Sequence, residues 1–191
     1  MAGRLDGKVA VVTGGCSGIG LATVQLASVL GARVTAVASS AEKLAVAAEL
    51  GAVHLVNHRD EDLRTQLRAA LPDGADVVVD PVGGDLAEPA LRTLHWGGRF
   101  VTVGYASGTI PRIPLNLVLL KGIRIAGFEM LQFLQHHPDD VARNERELIG
   151  HLTAGRAYPY IGARFGLEDA PAALRWVADG RAIGKVLLDL S

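Results

Sequence analysis

The chain has 191 residues, 49% hydrophobic and 20% charged, with a formal net charge of −1. That length fits one domain with a sizeable core, and the balance of apolar and charged residues excludes a disordered chain. The near-neutral charge gives no electrostatic case for nucleic acid or an anionic membrane. No apolar run reaches bilayer length, and a single cysteine excludes an internal disulfide and a thiolate-rich zinc site.

Strand one begins close to the N-terminus with no leader-like pattern before it, so a cytoplasmic protein is expected. Val9–Val12 is a short β-branched run and predicts a buried parallel strand. Thr13–Gly20 (TGGCSGIG) is a tight glycine-rich turn. Leu21, Ala22, Val24, Leu26, Ala27 and Leu30 follow at helical spacing, with Gly31 as the stop. Strand, glycine loop and helix in that order open a nucleotide-binding unit, because unpaired backbone N–H groups at a helix N-terminus bind a pyrophosphate. Side chains would hold the phosphate off, so the loop must be small. The candidate contacts are Thr13, Gly14, Gly15, Ser17, Gly18, Ile19 and Gly20. Gly14 and Gly15 turn the chain, Gly18 allows close approach, and Gly20 lets helix and strand pack. Cys16 has two readings, an oxidation-sensitive thiolate at a helix N-terminus or small-residue filler.

Arg33–Ala38 predicts strand two, Ala41–Leu50 a helix capped by Ser39 or Ser40, and Val53–Val56 strand three. Asp60–Leu71 reads as a helix, Asp76–Asp80 as strand four, Asp85–Leu94 as a helix and Arg99–Gly104 as strand five. A helical piece at Leu115–Leu120 precedes strand six, Ile123–Phe128. His136 and His137, beside Asp139 and Asp140, form a solvated turn rather than a metal cluster, since adjacent histidines splay apart. Glu147 and His151 read as a surface pair. Asp139–Ala154 is a helix, Tyr158–Phe165 irregular, Leu167–Ala178 a helix and Lys185–Leu190 a last strand. The alternation predicts an α/β fold, a doubly wound parallel Rossmann sheet of six strands with right-handed crossovers. Residues 1–155 form the dinucleotide-binding domain and 156–191 a C-terminal helix–strand extension.

The end of strand two decides between nicotinamide cofactors. A site for the free ribose 2′-hydroxyl places Asp or Glu there. Thr35–Ser40 has neither, and offers Ser39, Ser40 and then Lys43. Hydroxyls and an ammonium hold a 2′-phosphate, which also resolves the conflict of Lys43 with the helix dipole. NADP is the predicted cofactor. The alternative is a capping serine and a solvated lysine.

Thr13-Gly14-x-x-x-Gly18-Ile19-Gly20, with the flank Leu5-Asp6-Gly7-Lys8-Val9, resembles the short-chain dehydrogenases/reductases over about residues 1–20. From about 21 to 191 the chain resembles zinc-independent medium-chain reductases of the quinone oxidoreductase type. The motifs are Leu21–Gly31 (LATVQLASVLG), Ala36–Leu44 (AVASSAEKL), Asn57–Asp62 (NHRDED), Asp80–Asp85 (DPVGGD), Val103–Gly108 (VGYASG) and Gly184–Leu188 (GKVLL). Together they read as a hybrid. The second resemblance implies the same serine–lysine phosphate site, and adds Val82, Gly104 and His58 as cofactor contacts. His58 is the weaker one, because the family often has tyrosine there. Tyr105 lines the nicotinamide pocket or only covers the core.

The implied reaction is hydride transfer from NADPH to a quinone or conjugated carbonyl. The family's separate catalytic domain, which supplies most of the substrate pocket, is expected to be missing. A binding module without turnover is therefore the alternative, and a degenerate short-chain reductase the third reading. The short-chain Tyr-x-x-x-Lys pair is absent, since Thr109, Gly162 and Arg164 stand four positions after Tyr105, Tyr158 and Tyr160. No catalytic residue is assigned. Family members pair through strand six, which implies a homodimer along that sheet edge. The last strand, Lys185–Leu190, is the alternative cover for the edge.

Overall fold

The computed structural model describes residues 3–190; Met1, Ala2 and Ser191, the outermost residues of the two expected domains, lie outside the described residues. The first apolar run is strand β1 (Val9–Thr13), and its residues point alternately to two faces. Val11 packs with Leu67, Leu91 and Phe100, whereas Val12 packs with Val24, Ala36 and Leu44. A strand buried on both faces needs the unbroken apolar run seen in the sequence. Each such side chain contributes roughly 1.5–3 kcal/mol through burial.

The chain continues as α1 (Gly18–Val29), β2 (Arg33–Ala38), α2 (Ala41–Glu49), β3 (Ala52–Asn57), α3 (Leu63–Ala70), β4 (Ala75–Asp80) and α4 (Ala87–Arg92). Then come β5 (Leu94–Thr102), α5 (Asn116–Lys121) and β6 (Arg124–Gly127). The six strands lie in the order β3-β2-β1-β4-β5-β6, and every pairing is parallel. The chain reverses direction across the sheet between β1 and β4, which opens a crevice at their carboxyl ends. This is the expected doubly wound Rossmann sheet. Strand β5 starts earlier than expected, at Leu94, and its register with β4 shifts between Ala75 and Val77.

Two expectations fail beyond β6. Met130–His136 forms a helix, α6, whose N-terminus is capped by the Glu129 carboxylate accepting from Leu131 and Gln132 N–H. It runs into α7 (Pro138–Thr153), so His136 ends one helix and His137 joins the two, in place of a solvated turn. The stretch expected to be irregular contains β7 (Ile161–Gly166), which pairs in parallel with β8 (Lys185–Asp189) in a separate two-stranded sheet joined through α8 (Ala170–Ala178). A side chain at Gly162 would sit 2.0 Å from the Ile183 carbonyl oxygen, so the two segments meet there only through glycine. Because β8 pairs with β7, it does not cover β6, which remains an edge strand.

Candidate functional site

The carboxyl ends of β1 and β4 hold the glycine loop. Gly14 has a φ of +57°, and a Cβ on Gly20 would lie 2.0 Å from the Gly14 carbonyl oxygen, so only glycine lets α1 start this close to β1. The Ser17 hydroxyl donates to the Gly14 carbonyl at 3.1 Å instead of capping α1, whose first turn holds no acid. By contrast, Ser40 caps α2 and Asp62 caps α3. A Cβ built on Gly18 meets only the Lys185 ammonium, 3.7 Å away. The N-terminus of α1 is thus uncapped and open, a cradle that fits a pyrophosphate.

The loop is held from below. Thr13 is fully buried and its hydroxyl donates to the Asp80 carboxylate, which also accepts from the N–H groups of Val82 at 3.1 Å and Gly83 at 3.0 Å. The structure therefore places Thr13 beneath the cradle, while Ile19 is exposed at its rim. Gly15 packs on Ala36, and the Val82 side chain abuts Gly14. Asp80 belongs to the DPVGGD motif, but its role as a tie between β4 and the loop needs the strand order to be seen. Cys16 is buried and donates to the Lys43 carbonyl at 2.7 Å; burial pushes its thiol up to about 11, against the pull of Lys43. It packs as a protonated small residue, which removes the oxidation-sensitive reading.

Beside the loop, at the end of β2, a cavity of about 420 Å³ is lined by Ser39, Ser40, Lys43, Arg59 and Arg181, among others. No acid ends β2, although Glu42 and Asp179 border the cavity. The Ser40 hydroxyl accepts from the Lys43 N–H at 3.3 Å, so this serine is engaged as a cap. The Lys43 ammonium donates to the Ser39 hydroxyl at 3.3 Å and to the Gly180 carbonyl at 2.6 Å. Arg181 stacks its guanidinium 3.7 Å over the Trp176 ring, a cation–π contact that fixes its direction. Burial, with the charges of Arg59 and Lys43, pushes the His58 imidazole below its ordinary range, and it is the neighbouring Arg59 that lines the cavity rather than His58. Arg59 and Arg181 were not found from the sequence. Arg59 adjoins the His58 motif, but nothing local links Arg181 to β2.

The other end of the crevice lies past β5 and β6. A cavity of about 480 Å³ is lined there by Gly104, Tyr105, Phe128, Phe133 and His137, among others. Phe133 stands 5.2 Å from both Phe128 and His137, ring centroid to ring centroid. Tyr105 is on the cavity wall, its ring against Gly83. The structure thus strings the β2-end cavity, the glycine loop and the apolar β5–β6 cavity along one edge of the sheet, the layout of an extended dinucleotide. Among the described residues, no three His, Cys, Asp or Glu side chains converge on a metal position. No helix of the described residues is long and apolar enough to cross a membrane.

The family model described as "Zinc-binding dehydrogenase" matches residues 18–148. Quinone oxidoreductase-like protein 2 of Bos taurus is 36% identical over 186 residues, covering 96% of this chain and 53% of the relative. Its homolog in Nematostella vectensis is 33% identical, covering 96% and 51%. The chain spans about half the length of the curated relatives it matches. Among solved structures, the quinone oxidoreductase of Thermus thermophilus, described with its NADPH complex, is 29% identical with a TM-score of 0.85, covering 98% of this chain and 59% of that one. The Escherichia coli quinone oxidoreductase complexed with NADPH matches the fold with a TM-score of 0.86 at 24% identity, covering 97% and 58%. The sequence motifs, the sheet and the family match agree, and the chain belongs to the zinc-binding dehydrogenase family, as the Rossmann cofactor domain of its zinc-independent, quinone-oxidoreductase-like branch.

Proposed function

We propose that this chain binds NADP(H) and forms the cofactor half of a reductase acting on a quinone or conjugated carbonyl. The observation that carries the reading is the β2-end cavity, where Lys43, Arg59 and Arg181 gather with Ser39 next to an uncapped helix N-terminus. That set suits a 2′-phosphate and a pyrophosphate side by side. When bound, the nicotinamide supplies the hydride. The protein's part is to hold the dinucleotide along the strand ends, with Gly104 and Tyr105 lining its far end. Calorimetric titration with NADPH and NADH tests the cofactor, and loss of NADPH absorbance with a quinone tests turnover. Tighter NADH binding than NADPH binding would overturn the phosphate assignment.

The alternative reading is binding without turnover. NADPH binding with no consumption in the presence of any quinone or enone would establish it. We also propose that residues 1–155 act as the dinucleotide-binding domain and 156–191 as its extension, supported by the separate β7–β8 sheet. A cytosolic setting is part of the same proposal, supported by the lone, unpaired Cys16. So is a homodimer through β6, supported by its exposed edge position and by the exposed Ile125, Leu119 and Leu120.

A further inference from the structure

At the opposite end of the sheet from the glycine loop, where β4 and β5 begin, lies a cavity of about 350 Å³. One wall is the turn Pro72-Asp73-Gly74. Gly74 takes a φ of +81°, and a Cβ on it would lie 2.8 Å from the Thr93 carbonyl oxygen, so β4 and β5 start this close only through glycine. The Ala75 N–H donates to the same carbonyl at 2.9 Å, which fixes that wall.

Cations from three helices converge on this cavity: Arg64 and Arg68 of α3, Arg92 at the end of α4 and Lys121 at the end of α5. Arg92 is neutralised by Glu88, to which its guanidinium donates at 2.8 and 2.6 Å. Among the described residues, Arg64, Arg68 and Lys121 have no carboxylate within ion-pair distance. Asp73 is the one acid on the wall, and His95, also on it, is held by Asp76 at 3.3 Å. Helix dipoles account for Arg68, Arg92 and Lys121 singly, since each stands in a last turn. They do not account for Arg64, which opposes the dipole in the first turn of α3 and precedes a like charge by four residues. The Lys121 ammonium donates to the Arg92 carbonyl at 3.0 Å, which ties it to the cavity. Burial lowers its pKa, and the charges of Arg92 and Arg64 lower it further, so the cations repel one another across the empty space.

We propose that this cavity binds a compact anion carrying two or more charges on phosphate or carboxylate oxygens. Three unpaired cations against one carboxylate leave a surplus that suits a dianion. The guanidinium forks of Arg64 and Arg68 fit either kind of oxyanion. A bound anion also removes the repulsion among Arg64, Arg92 and Lys121. The site lies away from the carboxyl ends of the strands, so it does not rest on the dinucleotide reading.

The test is titration of the whole chain with inorganic pyrophosphate and, separately, with citrate. Calorimetry gives the affinity and amide NMR in the same titration gives the place. The wild type is expected to bind at least one of the two saturably, with shifts centred on Gly74 and Thr93. Tighter pyrophosphate marks the ligand group as phosphate, and tighter citrate marks it as carboxylate. Arg64→Gln with Arg68→Gln changes two exposed side chains and should melt as the wild type does. At this site the double variant is expected to bind at least about tenfold more weakly, having lost two charge-assisted contacts. Binding of neither anion by the wild type, an unchanged affinity in the double variant, or shifts confined to Gly14–Gly20 would overturn the site. Should the double variant melt early, the wild-type NMR titration decides alone: shifts at Gly74 and Thr93 uphold the site, and their absence overturns it.

Discussion

The Lys43 ammonium touches both the Ser39 hydroxyl and the Gly180 carbonyl, so its removal acts on the phosphate cavity and on the turn behind it. Lys43→Ala should weaken NADPH by roughly 1–2 kcal/mol and NADH much less. Equal losses for the two cofactors, measured by calorimetry, would show that Lys43 only fastens the Gly180 turn. The glycines separate in the same way. Gly20→Ala drives a methyl into the Gly14 carbonyl and should destabilise the fold by about 3 kcal/mol, seen in denaturant melts. Gly18→Ala meets only the Lys185 ammonium, at an ordinary contact distance of 3.7 Å, and takes a φ of +20°, so it should cost only about 1 kcal/mol of stability yet still weaken dinucleotide binding. Ser39, Ser40, Lys43 and the loop were legible because each stands within a few residues of a strand end, where chemistry follows from local position. Arg181 was not, because its place in the cavity depends on a turn that returns from far along the chain.

At the scale of elements, β1 and β4 are fastened at their starts as well as at their ends. Asp76 accepts from the Val9 N–H at 2.8 Å and from the Lys8 ammonium at 2.9 Å, and stands 3.3 Å from His95. Burial pushes the Asp76 carboxyl up, but these hydrogen bonds outweigh it and hold it below the ordinary 3.8. A carboxyl lowered by folding stabilises the protein above its ordinary pKa, and the gain is lost as pH falls through the lowered value. Asp76→Asn should therefore lower the stability at pH 7, by about 0.5–1 kcal/mol for such a partly exposed group. The gap to wild type should close as pH falls below the ordinary carboxyl range, through the lowered value. A gap that stays constant with pH would assign the effect to packing. The strands of the main sheet were readable as apolar runs between turn residues. Strand β7 (IGARFG) was not, because its two glycines weaken the strand pattern and its partner follows only after α8. Helix α6 was missed because it is one short amphipathic stretch, MLQFLQH, with no buried residue.

For the whole molecule, the proposed homodimer rests on the open edge at β6. Light scattering at micromolar concentration should give the mass of a dimer, and Ile125→Lys should halve it by placing a charge on the exposed edge. An unchanged mass in that variant would move the contact elsewhere. The return of the β8 turn to the glycine loop also sets an order in time. Lys43 and the Gly180 carbonyl it grips are 137 positions apart. A ribosome adding roughly 5–20 residues per second needs on the order of ten seconds to cross that interval. In that time the first three strands and the glycine loop have emerged, while the cations from the late turn have not yet been made. A nascent chain can thus fold its early strands well before it can grip a nucleotide, because the grip waits for a turn 137 positions further on.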